Sequence, residues 1–291
     1  MLFQISLKKI CLLLSMIALM SAVSLAQTFK FTAIPDEDTA RLQERFNKVA
    51  QYLSKELNVK VEYIPVKSYS ASIAAFKNND VQLAWFGGLS GVQARLAVPG
   101  SLAIAQGEED TTFISYIIAH TSTGLSYGED FPEKIEGKTF SFGSKGSTSG
   151  RLMPEYYIRQ FFKKSPEDVF SRVGFSGDHS KTLALVQSGS YQVGVLNFKV
   201  WENEVKAGNV DATKVQVLWK TPTYPDYNWT IRGDADAVFG KGFIQKTQKA
   251  LIGMKDRELL DTFPRDRFIE ADNTMYQPIL DTAQEIGILR E

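Results

Sequence analysis

From Thr28 onward, short apolar runs alternate with amphipathic stretches, and this alternation restricts the chain to a small set of folds. Such alternation is typical of β-α units, in which helices cover the faces of a largely parallel sheet. The first helix is the clearest, because Asp38 or Thr39 can cap it and apolar residues recur every three or four positions from Leu42 to Leu57. The sequence therefore predicts an α/β fold.

The same alternation predicts the remaining elements and two lobes. Predicted strands cover residues 29–34, 59–66, 81–86, 113–119, 139–142, 192–196, 215–219 and 229–232, and predicted helices cover 39–57, 70–77, 90–97, 150–163, 180–187, 243–254 and 274–286. The pattern restarts at Thr139 after the turn-rich residues 124–132, which indicates a second lobe. Because no long linker is present, the chain must cross between the lobes more than once, with 215–219 as one candidate crossing strand. We expect the first lobe to comprise 27–115 and 221–291, and the second 116–220.

The amino terminus has the pattern of a secretory signal peptide. Lys8 and Lys9 precede an apolar run over residues 10–20, and small residues follow up to Ala26. The run is shorter than the roughly 20 residues that a membrane-spanning helix needs. We therefore expect cleavage after Ala26, which removes residues 1–26 and leaves the mature protein in the periplasm.

Cysteine, histidine and charge content exclude several classes of function. The only cysteine, Cys11, lies in the predicted signal peptide, so the mature chain has no thiol for a disulfide or a thiolate metal site. The two histidines, His120 and His179, lie far apart and leave little to bind a transition metal. Basic and acidic residues balance at 33 each, which does not favour nucleic acid or an anionic membrane. We expect neither a metal nor a cofactor.

Residues 143–150 form the most informative segment, a loop of glycines and hydroxyl side chains between a predicted strand and a predicted helix. A helix N-terminus offers unpaired N–H groups and partial positive charge, and hydroxyls add further donors. Ser147, Thr148 and Ser149 are thus candidates for holding an anion, although a hydroxyl here more commonly acts only as a helix cap. The loop is not a nucleotide-binding G-x-x-x-x-G-K-[ST] motif, because Lys145 precedes the hydroxyls.

Other junctions between a strand and a helix supply further candidates. His179 lies at a predicted helix start, where its imidazole can donate to an anion, although an isolated histidine is more often a structural residue. In open α/β sheets, ligands bind outside the carboxyl ends of the strands. Two such junctions end in Ser70 and Ser90, which can cap the helices that follow, and they make Tyr69 and Phe86 candidate walls of the same cleft.

Several segments, taken in order, resemble the phosphonate/phosphite-type periplasmic substrate-binding proteins of ABC transporters, above all their selenate-transporter branch. The segments are 33–36, 67–69, 83–87, 146–150, 177–179 and 224–229, and the resemblance covers nearly the whole mature chain. It implies a type II two-lobed binding-protein fold, with a ligand cleft between lobes that close by a hinge motion. It also implies five side chains around the oxoanion: Ser147, Thr148, Ser149, His179 and, from the first lobe, Tyr69. Phe113 or Tyr116 stands where relatives keep an aromatic residue near the ligand.

The sequence also departs from relatives that bind aminoalkylphosphonates. Those proteins are expected to place carboxylates near the ligand's ammonium group, whereas here the corresponding loops carry Phe86, Tyr227 and Trp229. Asp226 is the only evident acid among them, and an aromatic pocket favours a compact anion. If Asp226 points into the cleft, it favours an oxoanion that carries a proton, such as phosphite or a phosphonate, over selenate, because an unpaired buried carboxylate beside a dianion is costly. Asp226 and Tyr227 complete the predicted set of ligand contacts.

Three other functions fit parts of the pattern. A binding protein for an organic solute, such as a thiamine precursor or a sulfonate, shares the two-lobed architecture but would rely more on aromatic stacking. A Ser/His hydrolase would need a serine of the loop as nucleophile and His179 as base, but the G-x-S-x-G elbow is missing because Thr148 stands at its centre. A sensory extracellular domain is the third alternative. We expect a protein without enzymatic activity that delivers a small oxoanion to the transporter's membrane permease.

Overall fold

The computed structural model describes residues 27–290, so the predicted signal peptide at 1–26 lies outside the described residues. Eleven strands form two sheets within this range. The strands are β1 Phe29–Ala33, β2 Val61–Tyr63, β3 Leu83–Phe86, β4 Leu102–Gly107, β5 Ser115–His120, β6 Thr139–Phe142, β7 Arg172–Phe175, β8 Val193–Asn197, β9 Val215–Lys220, β10 Asn228–Ile231 and β11 Phe268–Glu270. The sheet orders are β11-β4-β10-β3-β1-β2 and β7-β6-β8-β5-β9.

Helices cover both sheets. They are α1 Thr39–Leu57, α2 Tyr69–Lys77, α3 Gly88–Ala97, α4 Met153–Phe162, α5 Pro166–Val169, α6 His179–Gln187, α7 Phe198–Lys206, α8 Ala235–Phe239, α9 Phe243–Ile252, α10 Arg257–Thr262 and α11 Gln277–Glu285. Asp38 caps α1 as predicted, since its Oδ1 accepts from the Ala40 and Arg41 amides at 3.0 and 3.1 Å. Within the described part of the chain, no helix is both long and apolar enough to cross a membrane.

The predicted α/β class and two-lobed fold are confirmed, but the sheets are mixed rather than largely parallel. In the first sheet, β1 pairs in parallel with β2 and β3, whereas β10 runs antiparallel to β3 and β4. In the second, β5 runs antiparallel to β8 and β9. The antiparallel strands β5 and β10 directly follow the two segments that cross between the sheets.

These crossing segments, residues 108–114 and 221–227, run side by side between the two sheets. Phe113 and Tyr224 form an antiparallel bridge with amide-to-carbonyl hydrogen bonds of 2.9 and 3.0 Å. The strand predicted to cross at 215–219 instead lies in the second sheet as its edge strand β9, paired with β5. The proposed lobe boundaries, 115/116 and 220/221, stay a prediction.

The core of the first lobe is an aromatic cluster that holds the second crossing segment in place. Trp229, the second residue of β10, is fully buried and contacts the rings of Trp85, Phe31 and Phe263 at centroid distances of 5.3, 5.7 and 6.1 Å. Aromatic pairs in such edge-on or tilted arrangements add stability beyond the area that they bury. The start of β10, and with it the preceding Asp226, is therefore anchored to the sheet.

Candidate functional site

The hydroxyl-rich loop closes on itself before helix α4. The Ser147 hydroxyl accepts the Gly150 amide at 2.9 Å, as the predicted cap would, and the Gly143 amide donates to the Gly150 carbonyl at 2.8 Å. The chain then makes one turn of π-helix over Thr148–Leu152, a feature often found at functional sites. Ser147, Thr148 and Ser149 are each at most 2% exposed. Three hydroxyls are thus held together inside the protein at a helix start.

His179, the first residue of α6, lies against this loop. Its Nδ1 accepts the Asn197 amide at 3.3 Å, so the ring proton lies on Nε2, which is buried and has no hydrogen-bond partner among the described residues. Burial lowers the pKa of His179 to about 3. The ring is therefore a neutral N–H donor near neutral pH. The cap of α6 is Asp178, whose Oδ1 accepts the Lys181 amide at 2.7 Å.

Asp226 lies where the second crossing segment meets the loop and the start of α3. Its Oδ1 accepts the Gly88 amide at 2.8 Å, and its Oδ2 is buried without a partner among residues 27–290. A methyl group at Gly87 would lie 3.1 Å from Asp226 Oδ1 and 3.3 Å from the Thr148 hydroxyl, so these groups surround one point. Burial raises the pKa of Asp226 to about 7, while the Gly88 amide and the hydroxyls of Thr148 and Ser149 lower it. Asp226 is therefore buried between the hydroxyl-rich loop and the start of α3.

Tyr227 joins both lobes through its hydroxyl. The hydroxyl donates to Asp36 Oδ2 at 2.7 Å and accepts from Asn197 Nδ2 at 2.9 Å, while the ring stacks on Trp85 at 5.4 Å. Asp36 also accepts the His179 amide on its carbonyl at 2.9 Å, and its Oδ1 is buried without a described partner. Burial and the neighbouring Glu37 raise the pKa of Asp36 to about 6.

Asp36 and Asn197 were missed by sequence reasoning. Asn197 is the last residue of β8, and Asp36 follows β1 by three positions. Both residues lie at or beyond the carboxyl end of a strand, where ligands bind in such folds, and this position alone could have marked them as candidates.

Tyr69 comes from the first lobe as predicted and touches the loop. It opens α2, is 2% exposed, and lies so close to the loop that a methyl group at Gly146 would be 3.1 Å from its Cβ. Burial raises the pKa of the Tyr69 hydroxyl well above its usual value, and the neighbouring Ser147 hydroxyl lowers it. The phenol therefore stays protonated at neutral pH. The cap of α2 is Ser68, which accepts the Ala71 amide at 3.1 Å, rather than Ser70.

Two further predictions at the start of α3 need correction. Phe86 is fully buried and packs edge-on against Phe76 at 5.7 Å, so we assign it to the core rather than to the cleft wall. Successive strand residues face opposite sides of a sheet, and Trp85 occupies the side that carries Tyr227. The cap of α3 is Gly87 instead of Ser90, whose hydroxyl accepts the Gly87 amide at 3.0 Å.

The two aromatic residues left open by the sequence lie apart. Phe113, in the first crossing segment, contacts the Tyr227 ring at 5.3 Å, so it borders the cleft residues. Tyr116 instead lines a surface groove of the second lobe beside Trp201 and Val205. The structure therefore favours Phe113 as the aromatic residue near the cleft.

We call the assembled group the interlobe polar cluster. Its members are Asp36, Tyr69, Ser147, Thr148, Ser149, His179, Asn197, Asp226 and Tyr227, all at most 6% exposed. Three buried atoms in it lack hydrogen-bond partners among residues 27–290: Asp36 Oδ1, His179 Nε2 and Asp226 Oδ2. An unpaired buried polar atom costs about 1–3 kcal/mol. A bound ligand that donates to the two carboxylate oxygens and accepts from the imidazole N–H would satisfy these atoms. Residues 27–290 hold no group of His, Cys, Asp and Glu suited to a metal ion.

Two α/β lobes joined by paired crossing segments, with buried polar groups between them, define a substrate-binding protein of the two-lobed periplasmic type. Residues 31–276 match the family described as ABC transporter, phosphonate, periplasmic substrate-binding protein, and the chain belongs to this family.

Named relatives agree with this assignment. The chain is 38% identical over 271 residues to the probable ABC transporter phosphite binding protein PhnD1 of Prochlorococcus marinus, covering 91% of each chain. It is 26% identical over 201 residues to the phosphonates-binding periplasmic protein of Escherichia coli, covering 68% of this chain and 59% of that protein. The structure of PhnD1 from Prochlorococcus marinus in complex with methylphosphonate superposes with a TM-score of 0.87, covering 90% of this chain and 99% of that one. A Pseudomonas aeruginosa phosphonate-transporter binding protein, 20% identical, shares the fold with a TM-score of 0.78, covering 91% of this chain and 87% of that one.

Proposed function

We propose that this protein is exported to the periplasm, captures a small phosphorus oxoanion of the phosphite or methylphosphonate class, and delivers it to a membrane permease without chemical change. The observation that carries the proposal is Asp226, a buried carboxylate beside the Thr148 and Ser149 hydroxyls with one oxygen unpaired. The proposed ligand contacts are the members of the interlobe polar cluster.

We prefer a phosphorus oxoanion to selenate or sulfate because it can carry a proton near neutral pH. Selenate and sulfate near neutral pH offer only acceptors, and an acceptor placed against Asp226 Oδ2 would meet a lone pair and a negative charge. A hydrogen phosphite or hydrogen phosphonate ion offers one P–OH donor for that oxygen. Its remaining oxygens can accept from His179 Nε2 and from the loop hydroxyls.

The charges of the cluster support the same choice. It contains Asp36 and Asp226 but neither lysine nor arginine, so its donors to the ligand are neutral hydroxyl, amide and imidazole groups. Neutral donors around a singly charged anion avoid the full desolvation cost of a dianion. The named relatives bind or transport phosphite and phosphonates by their descriptions, which agrees with the proposal.

The first experiment is calorimetry and thermal unfolding of the mature protein with phosphite, methylphosphonate, phosphate, 2-aminoethylphosphonate, selenate and sulfate. A ligand that binds only the folded state raises the unfolding temperature. We expect stabilisation by phosphite or methylphosphonate, lost in Ser147→Ala and in His179→Ala. Selenate as the best ligand would contradict the role given to Asp226. If the protein is folded and free of ligand but none of the six anions binds, an organic solute is favoured instead.

Asp226→Asn tests the proton directly. The asparagine oxygen can still accept the Gly88 amide, while its amide nitrogen replaces an acceptor by a donor. We expect weaker phosphite or methylphosphonate binding and stronger sulfate or selenate binding, with the ratio of dissociation constants shifting about tenfold or more, equivalent to about 1.4 kcal/mol. Asp236→Asn is the control, because Asp236 accepts the Gly242 and Ile244 amides and is not a member of the interlobe polar cluster. Equal loss for all anions in Asp226→Asn would contradict the proposal.

A further inference from the structure

Arg41 and Glu204 connect the two lobes away from the interlobe polar cluster. Arg41 Nη1 lies 2.7 Å from Glu204 Oε1, and Nη2 lies 3.4 Å from Oε2, so the guanidinium meets the carboxylate in a two-point contact. Arg41 belongs to α1, which packs on β2 of the first sheet, whereas Glu204 belongs to α7, which packs on β8 of the second. The pair therefore spans the lobes.

Glu204 is more buried and has more hydrogen-bond partners than is usual for a charged residue on a short surface helix. It is 5% exposed, and its Oε2 also accepts Asn209 Nδ2 at 2.6 Å. On the other side, Glu37 Oε2 lies 4.0 Å from Arg41 Nη1, and Glu37 Oε1 pairs with Arg45 at 2.5 Å. Its own lobe thus holds the Glu204 carboxylate through Asn209, and Arg41 is its partner from the first lobe.

Such a pair acts on lobe closure. When the lobes separate, Arg41 leaves Glu204, so the contact contributes only to the closed form. A ligand held between the lobes binds in that form, and its apparent affinity scales with the closed fraction. A charged pair with one largely buried partner contributes more than a fully exposed pair, because the carboxylate has already lost most of its water.

We propose that Arg41 and Glu204 form an interlobe latch that sets ligand affinity by stabilising the closed lobes, without touching the ligand. The inference rests on the proposed function, since the affinity in question is that for the oxoanion. It assigns a role in binding to two charged residues that lie outside both the loop of residues 143–150 and the interlobe polar cluster.

The test is a double-mutant cycle with Arg41→Gln, Glu204→Gln and the double variant, using phosphite and methylphosphonate as probes. We expect each single variant to weaken binding about three- to tenfold, mainly through faster dissociation, with the double variant no worse than the singles. Lys164→Gln is the control, because the Lys164–Glu136 pair of 3.3 Å lies within the second lobe and both side chains are 53% exposed. Single variants that bind like the wild type, or effects that simply add in the double variant, would overturn the latch.

A distance measurement separates failure of the latch from failure of the proposed function. The mature chain has no cysteine, so spin labels can be placed on Cys substituted for Gln51 in α1 and for Ala184 in α6, both exposed. We expect Glu204→Gln to shift the distance distribution of the ligand-free protein toward longer, open distances. If no anion of the panel binds but this shift occurs, the proposed ligand is wrong and the latch stands. An unchanged distance distribution would contradict the latch even if the anion binds. Thermal unfolding checks that each variant is folded.

Discussion

At the scale of single residues, burial shifts the pKa values of His179 and Asp226 in the interlobe polar cluster in opposite directions. Burial lowers the pKa of His179 to about 3 and raises that of Asp226 to about 7. One becomes a neutral N–H donor, and the other can share a proton near neutral pH. An imidazole N–H donor beside a carboxylate acceptor suits an anion that has both acceptors and one donor.

These shifts predict opposite pH dependences of stability in the ligand-free protein. The folded-state pKa of Asp226 lies above the unfolded value of 3.8, so its contribution is fully present below that value and is lost as the pH rises through about 7. The folded-state pKa of His179 lies below 6.5, so its contribution is present above that value and is lost as the pH falls toward about 3.

Denaturant unfolding from pH 4 to 8 measures both effects. Relative to wild type, Asp226→Asn should gain unfolding free energy as the pH rises from about 4 to 7, and His179→Gln should gain it as the pH falls from about 6.5. Parallel pH profiles for all three proteins would show that these side chains do not titrate as buried groups.

Residue types and spacing predicted much of the cleft, and the reasons for the exceptions are local. Ser147, Thr148, Ser149 and His179 could be selected because a hydroxyl-rich loop and a lone histidine stand out in sequence. Asp36 and Asn197 are short polar residues beyond strands, and in sequence they look like ordinary turn or cap residues. The structure shows that Asn197 also caps α7, its Oδ1 accepting the Val200 amide at 2.7 Å. Whether such a capping residue also contacts the other lobe depends on residues far away in the sequence, as the bond from Asn197 to Tyr227 shows.

At the scale of elements, the site depends on how tightly the loop of residues 143–150 packs on α6. A methyl group at Gly150 would lie 2.9 Å from the Ser147 hydroxyl and 3.0 Å from His179 Cε1. Neither neighbour is free to move, since Ser147 caps the helix start and the His179 Nδ1 accepts a backbone amide. The absence of a side chain at Gly150 thus allows the loop and the imidazole to approach each other.

Gly150→Ala should therefore abolish tight oxoanion binding while the fold persists. Inserting one methyl group into a packed site costs about 1–3 kcal/mol, and here the displaced atoms are the proposed donors. We expect at least a tenfold weaker affinity by calorimetry. Gly128→Ala is the control, because a methyl group there would have no atom within 4 Å. Unchanged affinity in Gly150→Ala would mean that the loop and His179 do not act together on the ligand.

Sequence patterns predicted the bounds of some elements closely and missed other elements. The bounds of helix α1 and of strand β6 were each predicted to within one residue. The helix predicted from 150 starts instead with a π-helical turn, because the loop must bring three hydroxyls together before regular hydrogen bonding begins. Three strands and four helices were not predicted: β4, β7, β11, α5, α7, α8 and α10. Strand β11 spans only three residues, and β4 ends in the glycine that accommodates Arg265. Their pairing is a property of the sheet as a whole.

At the scale of the whole molecule, one buried ion pair supports both crossing segments. Arg265 donates from Nη2 and Nε to the two oxygens of Asp110 at 2.7 and 2.9 Å, and the Gly107 amide also donates to Asp110 at 2.9 Å. The Arg265 guanidinium also lies 5.3 Å from the centroid of the Tyr227 ring. The ion pair thus joins the first crossing segment, the chain after α10 and the ring that bridges the lobes.

Asp110→Asn should destabilise the protein strongly. Removing one partner leaves Arg265 as an uncompensated buried charge, which costs about 3–5 kcal/mol and lowers the melting temperature by roughly 10 °C in a chain of this size. Asp261→Asn is the control, because its pair with Arg257 is exposed, and exposed pairs contribute about 1 kcal/mol or less. Similar melting temperatures for the two variants would show that the Asp110 pair does not support the crossing segments.

The adjacency of the two crossing segments has a consequence for how such proteins diversify. The chain leaves the first sheet and returns to it at neighbouring points, bridged at Phe113 and Tyr224, so everything between them is topologically a guest inserted into a host domain. The hydroxyl-rich loop and His179 belong to the guest, whereas Tyr69 and the latch arginine Arg41 belong to the host. Recombination at two adjacent splice points could therefore pair a new recognition module with an unchanged host.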